Sequence, residues 1–234
     1  MTRTLIILTL NEIEGMRALV PALTADKTTA TETMAVDGGS TDGTAEFLAA
    51  HHIPVYGQNR PGRGEAFRVG MANSGGEFVV FFSPDGNENP ADIPKLYDLL
   101  EAGADMAIAS RFLPGGRNEE DDEPWPLRKW TNQTFTLLAN LIWNRHGPFI
   151  TDTINGFRGI RRAAFSQLAP TSMGYTIEYE LTIAALRANM RLAELPTIEN
   201  GRIGGHTKGA SWPTGVAFLK FLWGQIKPTG RRPR

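Results

Sequence analysis

Val36-Asp37-Gly38-Gly39-Ser40-Thr41-Asp42-Gly43-Thr44 follows one short apolar run, and Ser83-Pro84-Asp85-Gly86-Asn87 follows another, Glu77–Phe82 (EFVVFF). Each segment sets carboxylates and small residues at the C-terminal end of a predicted strand. In an open α/β sheet that edge is where ligands bind. A single Asp in a turn is usually a local cap. Two acid-bearing turns closing two strands point instead to a site for a nucleotide diphosphate and a metal ion.

Working outward from these turns, strands and helices alternate. Residues 3–9 form a short apolar run that fits a strand buried on both faces. A helix is predicted over 12–24 and a strand over 33–36. Thr41-Asp42 then caps a helix to Ala50, Asp42 being a first-turn acid favoured by the helix dipole. Further strands are expected at 53–57, 77–82 and 105–109, with helices at 63–73 and from Pro90 to about 101. This order predicts a mostly parallel sheet with right-handed crossovers. After Leu113 the pattern changes. Gly115-Gly116 and the acidic run Glu119–Glu123 are expected to form a mobile loop. Helices are predicted at 130–143 and 177–189, a strand or turn at 155–162, a strand at 191–196 and a flexible segment from Gly201 to Gly205. A last helix is expected from Pro213 to about Lys227. Residues 1–211 read as one domain, with an amphipathic helix and basic tail at 212–234.

The chain has 234 residues, 41% of them hydrophobic and 21% charged, a net charge of −1 and no cysteine. It can bury one large core, and disulfides and thiolate zinc sites are excluded. The apolar run near the start is at the lower limit of a signal-peptide core and lacks a small-residue cleavage site. No stretch approaches the ~18–20 apolar residues that span a bilayer. The sequence therefore predicts a cytoplasmic protein. Beyond Glu199 every charged residue is basic, which suits phosphates or an anionic surface. Trp212, Phe218, Phe221 and Trp223 beside Lys220 and Lys227 fit either an interfacial helix at the inner face of the cell membrane or a helix docked on the domain. The basic residues form no broad aromatic-laced stripe, so nucleic acid is not an expected partner.

At the sheet edge, Thr9, Asn11 and Glu12 end the first strand and Asp37 ends the second. These side chains are expected to meet a nucleobase or ribose, with Gly38 allowing close backbone approach. Asp42 reads as a cap. Asp85 and Asn87, two apart across Gly86, offer a carboxylate and an amide oxygen to a hard cation such as Mg²⁺ or Mn²⁺, which would neutralise a leaving diphosphate.

The ordered series TLNE, VDGGSTDGT, SPDGN, ASRF, DTINGFR, GYTIEYEL and RIGGHTK resembles family 2 glycosyltransferases, and among them the dolichol- or polyprenol-phosphate mannosyltransferase-like enzymes. The likeness spans about residues 4–220. It implies a GT-A fold, a Rossmann-like α/β sheet flanked by helices in a single domain. It further implies inverting transfer of a hexose from a GDP- or UDP-sugar to polyprenyl or dolichyl phosphate, with a divalent metal. On this likeness Arg63, Arg202 and Lys208 join the donor site, and Arg111, Arg128 and Thr131 hold the acceptor phosphate. Asp85, Asp152, Arg111 and Arg202 form the catalytic set. A phosphate acceptor is already ionised, whereas a hydroxyl acceptor needs a base; Asp152 is the candidate, or else it orients an arginine or caps a turn. The chain departs from the family at Gly38 and Ser83, where carboxylates are usual. Transfer to a small soluble hydroxyl acceptor and a non-catalytic nucleotide-sugar-binding module are the alternatives.

Overall fold

Side-chain alternation along the first strand sets the layers of the molecule. In β1 (Arg3–Thr9), Leu5 and Ile7 enter one buried cluster and Ile6 and Leu8 the other, as successive residues of a strand point to opposite faces. A strand buried on both sides has no polar face to show, which is why it reads as an unbroken apolar run. The computed structural model describes residues 1–204 and 211–226.

The remaining strands are β2 (Glu32–Asp37), β3 (Val55–Gly57), β4 (Phe78–Phe82), β5 (Met106–Ser110), β6 (Arg158–Arg161) and β7 (Leu192–Pro196). They form one sheet in the order β3-β2-β1-β4-β6-β5-β7. β1 runs parallel to β2 and β4, with Thr9 opposite Asp37 and Ile7 opposite Phe82. That register brings the two acid-bearing turns to one edge. β6 runs antiparallel between β4 and β5, while β5 and β7 are parallel. The segment 155–162, open in the sequence between strand and turn, is thus the strand that breaks an otherwise parallel sheet.

Helices α1 (Ile13–Leu19), α2 (Ala25–Thr28), α3 (Thr44–Ala50) and α5 (Ile93–Glu101) contribute to one side of the sheet; Met16, Leu48, Ile93 and Leu96 pack there with Leu5, Val80 and Phe82. On the other side lie α4 (Arg63–Asn73), α6 (Leu127–Trp143), α7 (Arg162–Leu168), α8 (Ile177–Arg187) and α9 (Ser211–Ile226). Phe67, Phe135, Phe165, Tyr179 and Phe218 join Ile6, Val36 and Phe81 in that cluster. Each such large apolar side chain contributes roughly 1.5–3 kcal/mol by leaving water.

Three local expectations change. The helix expected over 12–24 ends at Leu19, and Val20–Ala22 turns as a 3₁₀ helix around Pro21, whose missing N–H cannot continue an α-helix. The acidic run, expected to be mobile, is pinned to the start of α6: Arg128 pairs with Glu119 and Glu120, and Lys129 with Asp121. The last helix begins at Ser211 rather than Pro213. It docks on the domain through Phe218 and Leu222 while Leu219 and Trp223 stay exposed. Among the described residues no helix is long and apolar enough to cross a membrane.

Candidate active site

A cleft of about 1140 Å³ lies over the C-terminal edge of the sheet. Thr9, Gly38, Ser83, Asp85 and Arg111, all at or just beyond the ends of β1, β2, β4 and β5, line it. The turn that bears Asp85 is held from two sides. A Cβ on Gly15 would lie 1.8 Å from the Pro84 carbonyl oxygen, so glycine there lets α1 press directly on the turn. Gly86 has φ +95°, and a side chain on it would strike Ile203. The Ile203 amide donates to the Asp85 carbonyl at 2.8 Å, and the Asn200 amide to that of Asn87 at 3.0 Å.

Asp85 Oδ1 accepts from the Asn87 amide at 3.1 Å, leaving Oδ2 to the cleft, where Arg202 Nη1 lies 3.1 Å away. The other Arg202 nitrogen, Nη2, is 3.5 Å from Glu12 Oε1. Asn87 Nδ2 donates to Glu119 at 2.8 Å, and its Oδ1 is buried without a hydrogen-bond partner among the described residues. An orphaned buried acceptor beside a carboxylate is the donor set a hard divalent cation takes. The residues therefore fit a metal. Among the described residues no three carboxylate or imidazole groups converge on one point, so Asp85 and Asn87 would hold the cation with oxygens of its ligands completing the shell. Glu88, unremarked in the sequence, follows them; burial first, then the Asp85 charge, raises its pKa well above the ordinary value.

At the β1–β2 end, two residues expected to meet a ligand are engaged within the protein. Asp37 Oδ1 accepts from Thr9 Oγ1 and Ser40 Oγ at 2.8 and 2.6 Å, and Oδ2 from the Gly39 and Ser40 amides at 2.9 and 2.7 Å. A carboxylate offers about four lone-pair sites, so its own turn occupies Asp37. Asn11 Oδ1 accepts from the Thr41 amide at 2.8 Å and ties the two loops together. Asp42, expected as a capping first-turn acid, lies one residue before the Gly43 N-cap of α3; it accepts from the amides of Thr44 and Ile13, both at 3.0 Å, and so joins the starts of α3 and α1. Arg63, at the first position of α4, pairs with Glu178 and reaches Ser83 Oγ at 3.3 Å. Burial works against its charge, but Glu178 and Glu88 outweigh that and hold its pKa above the usual value. Lys208 lies outside the described residues.

Across the cleft, Arg111 is nine-tenths buried and Asp152 wholly so. Arg111 Nε and Nη2 donate to the two Asp152 oxygens at 2.7 and 3.1 Å, a bidentate fork. Asp152 also accepts from the Arg111 and Asn155 amides at 3.3 and 3.0 Å. With both oxygens engaged behind Arg111, Asp152 is placed to orient that guanidinium, the alternative to a general base that the sequence left open. Arg111 Nη1 faces Glu199 at 3.5 Å. Burial opposes its charge, but Asp152 and Glu199 prevail and raise its pKa. Glu194 supports the arrangement from below, accepting from the Thr151 and Asp152 amides at 2.8 and 2.9 Å. Arg128 and Thr131 line the cleft, Arg128 already paired with the acidic run and Thr131 bonded back to the Leu127 carbonyl at 2.7 Å.

Sequence reasoning missed Glu178, Glu199 and Arg158. Arg158 is fully buried and donates only to uncharged acceptors, among them the Asn155 and Glu178 carbonyls and Thr182 Oγ1, at 2.5 to 3.1 Å. Burial lowers its pKa to about 10. It joins the loop that carries Asp152 to the helix that carries Glu178. Arg158 closes DTINGFR and Glu178 lies in GYTIEYEL, but the motifs do not reveal this role, because the partners are backbone carbonyls and a hydroxyl from distant segments.

From the Asp85 end the cleft continues between α6 and α9, walled by Phe135, Leu138, Phe218 and Leu219. The family model described as "Glycosyl transferase family 2" matches residues 4–169. A glycosyltransferase of Mycobacterium tuberculosis is 30% identical over 221 residues, 93% of this chain and 95% of its own length. The polyprenol monophosphomannose synthase of Mycolicibacterium smegmatis is 30% identical over 240 residues, 95% and 87% of the two chains. Among solved structures, glucosyl-3-phosphoglycerate synthase of Mycobacterium tuberculosis, in complex with Mn²⁺, UDP and glucosyl-3-phosphoglycerate, superposes with a TM-score of 0.71 at 22% identity. The match covers 99% of this chain and 81% of that one. A GT-A sheet with its acid-bearing turns at one edge, matched by the family model over most of its length, places this chain in glycosyl transferase family 2.

Proposed function

We propose that the protein transfers a hexose from a nucleoside-diphosphate sugar to a polyprenyl or dolichyl phosphate, with inversion at the anomeric carbon. The observation that carries this reading is a single cleft with two chemistries. One end gathers Asp85, Asn87, Arg202 and Arg111, and the other is apolar between α6 and α9. A charged headgroup on a long hydrocarbon needs both. The named activity of the Mycolicibacterium relative supports the same acceptor class.

A divalent cation held by Asp85 and Asn87 would neutralise charge on the departing diphosphate. Arg202 adds a donor beside it: its Nε is buried and unpartnered among the described residues, which suits a phosphate oxygen. Arg63 stands on the same side of the cleft. Arg111, oriented by Asp152, presents Nη1 toward the acceptor phosphate from its place 3.5 Å from Glu199. A phosphate oxygen then attacks the anomeric carbon as the bond to the diphosphate oxygen breaks, and the bonding pair leaves with the diphosphate. A phosphate needs no base to remove a proton, which agrees with an Asp152 fully engaged by Arg111. Leu219 and Trp223, exposed on α9, fit contact with the cytoplasmic face of a membrane.

The second reading is transfer to a small phosphorylated hydroxyl acceptor, as the name of the glucosyl-3-phosphoglycerate synthase describes for that protein. It would leave the apolar half of the cleft without a ligand. Radiolabelled GDP- and UDP-hexoses offered with polyprenyl phosphate or with phosphoglycerate, followed by solvent partition, separate the two. Label in the organic phase, dependent on Mn²⁺ or Mg²⁺, supports the proposal. Label only in the aqueous product rejects it.

A further inference from the structure

Among the described residues, the carboxylate at the corner of the cleft formed by the ends of β1, β2 and β3 is already engaged. Asp37 is consumed by four donors from Thr9, Gly39 and Ser40. Gly38 has no side chain at all. Gln58, one residue past β3, fills the place instead. Its Oε1 lies 3.4 Å from the point where a Cβ on Gly38 would project, beside Leu10, and both Gln58 and Gly38 line the cleft.

The Gln58 amide has a defined direction. Its Nε2 donates to the Gly62 carbonyl at 3.2 Å, which can only accept, so the nitrogen is committed and the oxygen is turned toward Gly38. The Gln58 backbone is fixed as well, its amide donating to the Asp37 carbonyl at 3.1 Å. The corner thus offers a bound base a neutral, oriented acceptor against the apolar side chain of Leu10.

Resting on the donor reading above, we infer that Gln58 is the residue that selects the nucleobase, through its amide oxygen accepting from a ring N–H. Uracil and guanine carry such a ring N–H at their pairing edge. Cytosine and adenine carry a ring acceptor at the equivalent position, which would face Oε1 lone pair to lone pair. The selected donors are therefore the UDP and GDP classes, and the rejected ones CDP and ADP. A site built around one hydrogen bond discriminates because the mismatched ligand leaves a desolvated polar group unpaired.

The test is calorimetric binding of UDP, GDP, CDP and ADP to the full chain with MnCl₂, for wild type, Gln58→Met and Gln58→Glu. Wild type should bind UDP or GDP about tenfold more tightly than CDP and ADP. Gln58→Met keeps the length and removes the acceptor, and should bring the four within about twofold. Gln58→Glu keeps an acceptor but loses the donor to the Gly62 carbonyl, and should retain the preference in weakened form, between wild type and Gln58→Met. A preference that survives in Gln58→Met, or none in wild type that binds all four, overturns the assignment to Gln58 and leaves the donor reading standing. Failure of wild type to bind any of the four overturns the donor reading and this inference with it. Thermal melts of each variant identify a folding defect, in which case Gln58→Leu replaces Gln58→Met with the same expected loss.

Discussion

Arg202 Nη1 rests 3.1 Å from Asp85 Oδ2, so a guanidinium charge already faces the carboxylate proposed to bind the metal. A divalent cation arriving alone must compete with that charge. Arg202→Gln should therefore bind Mn²⁺ several-fold more tightly in the absence of nucleotide, while sugar transfer falls at least about tenfold for want of a diphosphate donor. Titration of Mn²⁺ by electron paramagnetic resonance reads the first effect and donor turnover the second. Asp85→Ala should lose both Mn²⁺ binding and, by about a hundredfold or more, turnover. Unchanged Mn²⁺ affinity in Asp85→Ala would place the metal elsewhere.

Arg111 and Asp152 make a buried fork, and each half should fail differently. Arg111→Lys keeps a charge but not the planar geometry; the acceptor KM should rise about tenfold with the donor KM little changed. Asp152→Ala strands a buried guanidinium and should cost roughly 3–5 kcal/mol of stability, measured by urea unfolding. Equal shifts in both KM values for Arg111→Lys would contradict an acceptor role.

Glu194 carries a pH signature. Burial raises its pKa above the ordinary 4.5, against the lowering effect of bonds from Thr151 and Asp152. A raised folded-state pKa means that the native state binds more protons than the unfolded one just above the ordinary value. The stabilisation is complete below pH 4.5 and fades as pH rises through the raised value. In Glu194→Gln that loss disappears, so the variant's melting temperature relative to wild type should climb with pH across the window. A difference that is flat or declines from pH 4 to 8 would refute the assignment.

Leu219 lines the apolar part of the cleft and is 59% exposed. Leu219→Glu should leave stability within about 0.5 kcal/mol. It should raise the KM for a long-chain polyprenyl phosphate and spare that for a short, water-soluble phosphate analogue. The same KM change for both chain lengths would argue against a hydrocarbon in that part of the cleft.

β1 and β4 were legible because burial on both faces leaves long apolar runs, Leu5–Leu8 and Phe78–Phe82. β6 was not, since Arg158, Gly159 and Arg161 look like surface sequence. Arg158 is buried by virtue of carbonyl partners supplied from distant segments, and Arg161 donates to the Ala104 and Leu100 carbonyls. α7 escaped notice for a related reason: seven residues that begin at the second of two arginines give too short a period to read. The two turns of the site were visible as motifs, and helix chemistry pointed to Asp42 at the start of α3, although it sits before the Gly43 N-cap rather than in the first turn. What the motifs concealed was which lone pairs remain available. Asp37 and Asp152 look alike in sequence to catalytic acids, and only the count of donors around each separates holding a loop from meeting a ligand.

β6 also separates two anchors. Because it runs opposite to its neighbours, it enters the edge of the sheet from the Asn155–Phe157 side and pushes the end of β4 two strand steps, about 10 Å, from the end of β5. The Asp85 turn leaves from one bank and Arg111 from the other, with Asn155 and Gly156 as the floor between them. A reversed strand thus acts as a spacer between the Asp85 turn and Arg111, the two anchors proposed to hold the donor and acceptor phosphates.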